Sequence, residues 1–545
     1  MMNRTLFLIF AAVIAPVCMS AQNTQVCPRF AAGSVITAPE DLYSKDGLLT
    51  VKVTYQTTVD ANGNTLFCFT DANGAQSPTL HVNPGDRIAM SVTNQITGPV
   101  PQLAMKMADH PDATHLHTQV CGSSGPMSPA SVNVHFHGTN TPPICHQDEV
   151  IRTLINQGET FEYNLEIPGD EPPGLYWYHP HVHGIAEAAV QGGASGAIIV
   201  EGIQNVNPAV AGLTQQLLII RDNLVPGAPD GDNVPAWDLS VNYTPVAYPV
   251  YTPAVITMKP GEKQLWRVLN AAADTILDLQ LQYDGQAQNL VIVGMDGVPT
   301  GSQDGTTQGQ SMTVNHILLA PAARAEFIVT GPAATVSIAR LMTLTVDTGP
   351  GGDNDPVRPL AKIQVSPTAN AAARVIPRVS APPPPARFDN LANVTPTAKR
   401  KIYFSELSLD PTDSDAAVVF FITVDGQPPA PFDPNSPPAI VTTQGAVEDW
   451  TIENRADETH AFHIHQIHFL VMAQNGVPVT NPQYLDTVNI PYWTGTGPYP
   501  SVTVRMDFRG SVVGDFVYHC HILEHEDGGM MATIRVNPAP RPGRR

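Results

Sequence analysis

The segment YHCHILEHEDGGMM, residues 518–531, sets Cys520 between His519 and His521, with His525 and Met530 following. Three further HxH pairs occur: His135/His137 in VHFHG, His179/His181 in WYHPH and His463/His465 in HAFHIH. In an extended strand, residues two apart point to the same face, so each pair aims both imidazoles at one place. Imidazole is the common ligand of copper, zinc and iron, and eight of them in matched pairs predict a metal site. Parity separates a second set. Cys520 points away from its two histidine neighbours, and His460, at odd spacing from His463 and His465, points away from that pair. Joined by His525 and Met530 from the following loop, they make two histidines, a thiolate and a weak axial thioether, the ligands of a blue-copper electron-transfer centre. Zinc would require neither the methionine nor the adjacent eight histidines.

These side chains need strands to carry them, and the sequence repeats a strand unit three times. PTLHVNPGDRIAMSVTN, PAVITMKPGEKQLWRVLN and PAIVTTQGAVEDWTIEN end at Asn94, Asn270 and Asn454, each with a glycine (Gly85, Gly261, Gly445) nine residues earlier. Apolar residues alternate between glycine and asparagine, as in a half-buried strand entered by a turn. Copies 176 and 184 residues apart suit β-sandwich domains rather than a solenoid. A second repeat relates only the outer copies: GLYWYHPH (174–181) matches GDFVYHCH (514–521), and His463 and His465 fall where the middle copy has Leu279 and Leu281. The expected organisation is all-β: domain 1 over 22–203, domain 2 over 204–366 without ligands, a Pro-rich linker over 367–395 containing SAPPPPARF, and domain 3 over 396–545.

The four histidine stretches resemble, in this order and over essentially the whole chain, the copper signatures of three-domain multicopper oxidases, the family of laccases, bilirubin oxidases and bacterial cuprous oxidases. The resemblance implies three cupredoxin-like Greek-key β-sandwiches and four copper ions. It assigns a type 1 copper to His460, Cys520, His525 and Met530, and a type 2 copper to His135 and His463. The type 3 pair falls to His137, His179, His181, His465, His519 and His521. It implies that electrons taken singly from a small donor at the type 1 site reduce dioxygen to water. Glu526, after His525, and Asp148, in ICHQDEV, are the candidate proton-relaying carboxylates; His146 competes with Asp148 by spacing. The ten ligand histidines leave eight: His183 and His468 adjoin the motifs, while His81 and His316 read as ordinary.

Composition removes other classes. A net charge of −21 with no basic block repels a phosphate backbone, which excludes nucleic acid as a partner. Residues 1–21 carry Arg4, an apolar run too short to span a bilayer, and small residues Ser20 and Ala21, the pattern of a secretory signal peptide. A periplasmic or secreted protein without stable membrane insertion is expected. Outside that segment Cys27, Cys68, Cys121, Cys145 and Cys520 remain; pairing the first two and the next two is the most local arrangement and leaves Cys520 free. Donor identity is read from the leftovers. The insertion MKMADHPDATHLH, 105–117, contains Met105, Met107, His110, His115 and His117, which either bind copper transiently or form a polar surface loop. The linker carries no methionine-rich segment of the cuprous-oxidase kind, which favours a laccase-like oxidase of phenols or aromatic amines over a cuprous or other metal-ion oxidase. A non-catalytic copper-storing scaffold would have lost ligands, and none is missing. Asp457, Glu458 and Asp486 are expected to line the donor site.

Overall fold

The computed structural model of the chain describes residues 26–97, 100, 121–122, 125–224, 234–301, 309–367, 374–378, 387, 390–410 and 417–540. Residues 1–21, expected as a signal peptide, and the insertion 105–117 lie outside the described residues.

All three repeated segments are strands, Arg87–Asn94, Lys263–Asn270 and Val447–Asn454, and Gly85, Gly261 and Gly445 turn the chain before them at positive φ of 88°, 67° and 98°. That conformation costs glycine little and other residues more. The terminal asparagine has one job in each copy. Asn94 donates its amide to the carbonyls of Ala130 and Ile155 and accepts the N–H of Ile96; Asn270 and Asn454 do the same in their domains, accepting from Ala272 and Ala456. Such buried amides hold loops whose backbone groups would otherwise lie unpaired.

Each repeated strand runs parallel to a long neighbour and antiparallel to another: Leu48–Val59 and Thr160–Glu166 in the first domain, Thr214–Leu224 and Arg324–Thr330 in the second, Ala398–Ser408 and Ser501–Asp507 in the third. The facing sheets are also alike. Thr79–Val82, Gly196–Val200, Gly174–His179 and His135–His137 lie in that order in the first domain; Ile440–Thr443, Met531–Asn537, Gly514–Cys520 and His460–Ile464 repeat it in the third. The middle domain follows with Ala254–Met258, Arg358–Val365, Ala339–Leu344 and Leu277–Tyr283. The protein is thus three β-sandwiches of cupredoxin type. Leu279 and Leu281 are buried in the apolar core where the third domain points His463 and His465, so the middle sandwich spends on packing what its neighbours spend on ligands.

The connector after the middle domain is strapped down. Arg374–Val375 adds an antiparallel pair to Thr214–Gln215, Arg374 pairs with Asp41, Arg387 lies 2.9 Å from Asp170, and Leu391 is buried. Both expected disulfides form, Cys27–Cys68 and Cys121–Cys145, and Cys520 is free and buried. Closing a span of 41 residues removes unfolded-chain entropy worth about 4 kcal/mol. Cys27→Ala/Cys68→Ala is therefore expected to lower the melting temperature by several degrees in calorimetry, with metal content unchanged. Among the described residues no helix is long and apolar enough to cross a membrane.

Candidate metal centre

Both outer domains build the centre from the same strand pair. In the first, His135 and His179 are direct cross-strand partners; in the third, His463 and His519 are. The four HxH pairs meet at the interface of these domains. His135 stacks on His465 with ring centroids 3.8 Å apart, His137 on His463 at 4.0 Å, and His181 stands 4.6 Å edge-on to His465. His519 Nε2 lies 3.2 Å from His465 Nε2 and 3.4 Å from His181 Nε2. All eight rings are buried.

Four of the rings are anchored through Nδ1. Nδ1 of His135 faces Asp148 Oδ1 at 3.0 Å, and Nδ1 of His179, His463 and His519 face the carbonyls of Pro180, Asp486 and Cys520, each at 2.8 Å. Other ring nitrogens are different: His135 Nε2, His137 Nδ1, His179 Nε2, His463 Nε2, His465 Nδ1 and both nitrogens of His521 have no hydrogen-bond partner among the described residues. A buried unpaired polar atom costs about 1–3 kcal/mol, so this many in one place fits lone pairs directed at metal. Burial, then repulsion among the rings, pushes these histidines below their ordinary value. Neutral imidazoles are what metal coordination requires.

The second set forms on the other face of the strand Gly514–Cys520. Cys520 Sγ lies 3.7 Å from His460 Nδ1 and 3.6 Å from His525 Nδ1, and those two nitrogens are 3.0 Å apart. Burial works against the thiolate, but the two imidazoles outweigh it and bring Cys520 down to about 6. Met530 is fully buried, its N–H on His525 O and its carbonyl on Cys520 N. The segment expected as a loop holds a helical turn, Leu523–Asp527. The middle domain seats that turn, with Ala273 O accepting from Leu523 N and Asp274 Oδ1 from Glu524 N.

The two relay candidates sit against the eight-histidine set. Glu526 Oε2 is 3.2 Å from His519 Nδ1 and Oε1 is 3.5 Å from His181 Nδ1. Burial first, then Asp527 and Cys520, raises Glu526 well above the usual carboxylate range. Burial likewise raises Asp148 to about 7 against the opposing hydrogen bonds from Phe136 N and Gln466 Nε2. His146 instead lies at the exposed edge of its domain, on Glu162 O and stacked on Phe161, so Asp148 is the residue facing the histidines.

Of the acids expected at the donor site, two lie beside the Cys520 set and one does not. Glu458 Oε1 meets His525 Nε2 at 3.1 Å, and Asp457 is exposed beside it. Asp486 is fully buried behind the eight histidines. Strand register explains the correction: the strand Thr487–Ile490 pairs Thr487 with His463 and Ile490 with His460, so Asp486 adjoins the histidine end that faces away from Cys520. Sequence reasoning missed Glu406, whose Oε1 lies 2.9 Å from His460 Nε2. It also missed Arg324, which forks onto Asp486, and Gln466, which follows His465 directly and holds Asp148. His183 is edge-on to Phe432; His468 donates to Asp296 O; His81 bridges Asp41 and Glu201, and His316 pairs with Asp278.

Two family models, each described as multicopper oxidase, match residues 127–205 and 407–540. The multicopper oxidase mco of Staphylococcus haemolyticus is 24% identical over 393 residues, 70% of this chain and 72% of its own length. A laccase of Bacillus stratosphericus is 24% identical over 448 residues, 74% and 80% respectively. Among solved structures, a multicopper oxidase from Campylobacter jejuni described as a metallo-oxidase aligns with a TM-score of 0.64 at 21% identity, covering 93% of this chain and 96% of that one.

Proposed function

We propose that the chain, which matches multicopper oxidase models over residues 127–205 and 407–540 and multicopper oxidase and laccase relatives along most of its length, is a multicopper oxidase that oxidises phenols or aromatic amines one electron at a time and passes the electrons to dioxygen, forming water. His460, Cys520 and His525, with Met530, would hold copper that supplies single-electron exchange, and the eight remaining ligand histidines would hold copper that supplies four-electron reduction of dioxygen. The peptide bonds on either side of Cys520 join the two sets directly.

The observation that carries the donor class is Glu458. Its carboxylate touches the outer nitrogen of His525 and retains solvent access, with 11% of its side chain exposed. A phenol that gives up an electron becomes a strong acid; its O–H bond breaks, the proton moves to a Glu458 oxygen, and a neutral phenoxyl radical leaves. Burial opposes the charged form of Glu458, but His525 overcomes it and holds the carboxylate at about 2, so it stands ready as an acceptor. Glu458→Gln is expected to slow oxygen uptake with a methoxyphenol about 100-fold while uptake driven by hexacyanoferrate(II), which releases no proton, stays near the wild-type rate. Equal loss with both donors would remove the proton-acceptor role.

A second reading rests on Glu406. It and Glu458 lie against the two outer nitrogens, His460 Nε2 and His525 Nε2, and two carboxylates there draw a cationic metal-ion donor by charge. Oxygen uptake by the copper-loaded protein with a methoxyphenol against Cu(I) separates the two; strong uptake with Cu(I) alone would reverse the order. Export to the periplasm or beyond is proposed on the segment 1–21 and is supported by the two disulfides, which persist in oxidising compartments.

A further inference from the structure

We propose that the middle domain, which supplies no metal ligand, sets which nitrogen of His137 faces the oxygen-reducing centre, through Arg324 and the positioning residue Asp486. The inference rests on the reading that metal sits among the eight histidines. His137 differs from its partner in VHFHG: His135 turns Nδ1 outward to Asp148, whereas His137 turns Nε2 outward to Asp486 Oδ1 at 3.2 Å, leaving Nδ1 inward and unpaired. A carboxylate only accepts, so it fixes the proton of His137 on Nε2 and the lone pair on Nδ1. A partner of this kind is what selects the coordinating nitrogen of a ligand histidine.

Asp486 cannot hold that place alone, because a buried carboxylate without a counter-charge is costly. Arg324, on the middle-domain strand Arg324–Thr330, supplies it with a two-pronged contact, Nη1 to Oδ1 at 2.8 Å and Nη2 to Oδ2 at 2.7 Å. Its Nε donates to Leu175 O at 3.1 Å, on the strand that carries His179, so the guanidinium is braced against the first domain as well. Asp296, also of the middle domain, accepts Arg324 N at 2.8 Å and Asp486 N at 3.1 Å, which clips the backbone of both partners. Gly138, next to His137, leaves the space: a Cβ there would lie 2.4 Å from Arg324 Nη2 and 2.8 Å from Asp486 Oδ2. Three domains thus converge behind one imidazole.

The test compares Arg324→Met, Arg324→Lys and the double variant Arg324→Met/Asp486→Leu with the wild type. Arg324→Met leaves Asp486 without its counter-charge and is expected to lower the melting temperature; the double variant removes both charges and recovers it. Two readouts follow in the full chain: imidazole nitrogen NMR shifts of His137 without metal, and copper affinity with the electron paramagnetic resonance spectrum after loading. The wild type is expected to carry the His137 proton on Nε2. In the double variant that proton spreads over both nitrogens, copper affinity at the eight-histidine centre falls about 10- to 100-fold, its resonance spectrum changes, and the blue absorption of the Cys520 set stays. Arg324→Lys falls between. A double variant with recovered melting temperature, wild-type nitrogen shifts and an unchanged spectrum would reduce the pair to a structural ion pair and overturn the proposal, as would a wild-type His137 protonated on Nδ1. A wild type that takes up no copper would sink the preceding reading, and the nitrogen shifts would still decide this one.

Discussion

Cys520→Ser is expected to abolish the blue absorption and reduce donor-driven oxygen uptake to background, with the fold and the binding of metal by the eight histidines retained. Serine matches the thiol in shape, and its hydroxyl can take up the contacts Cys520 makes at 3.6 and 3.7 Å with His525 and His460. A hydroxyl, though, does not ionise near neutral pH, whereas the two imidazoles bring the thiol down to about 6. The sulfur is also the soft ligand that distinguishes a blue-copper set from any other copper site. Absorption spectra, metal analysis and oxygen uptake on the same preparation check the three parts. A blue serine variant, or one that still consumes oxygen with a methoxyphenol, would place the electron-accepting site elsewhere. A cooperative melting transition close to that of the wild type would show that the loss is chemical.

The reach of the sequence follows from which contacts are local. Strand parity needs only the spacing of residues, so it placed His519 and His521 on one face and Cys520 and His460 on the other, as the structure has them. The repeated glycine and asparagine are equally local: a turn before the strand, a buried amide after it. Contacts between domains are another matter. Asp486 is 162 residues from Arg324 and 349 from His137, and only the register of Thr487–Ile490 against His460–Ile464 decides which set of histidines it serves. Its position near the C-terminal ligands in sequence suggested the wrong set. Glu406 and Arg324 carried no signal, because an outward carboxylate on a strand and an arginine in a ligand-free domain look like ordinary surface until three sandwiches close around them.

The same closure decides what Glu526 does. The turn Leu523–Asp527 presents successive side chains about 100° apart, so His525 points to Cys520 while Glu526, one residue on, points to His519 and His181. Asp527 locks that orientation by accepting Gly184 N at 2.7 Å and Glu187 N at 2.9 Å from the first domain. Reducing dioxygen to water consumes protons inside a site closed to bulk water, and burial raises Glu526 well above the usual carboxylate range, so the carboxyl can hold a proton there and hand it on. Glutamine keeps the size and the hydrogen-bonding edge and cannot carry that proton. With Glu526→Gln, reoxidation of the fully reduced protein by dioxygen is expected to slow about 100-fold or more, while reduction by the donor proceeds at the wild-type rate and the blue absorption is intact. Stopped-flow mixing of anaerobically reduced protein with oxygenated buffer measures the first, and anaerobic mixing with a methoxyphenol the second. Loss of the blue absorption would refute the relay role, because it would show that Glu526 instead holds His525 and Cys520 in place. An unchanged reoxidation rate would shift the task to Asp148, which faces His135 of the same eight-histidine set from the first domain.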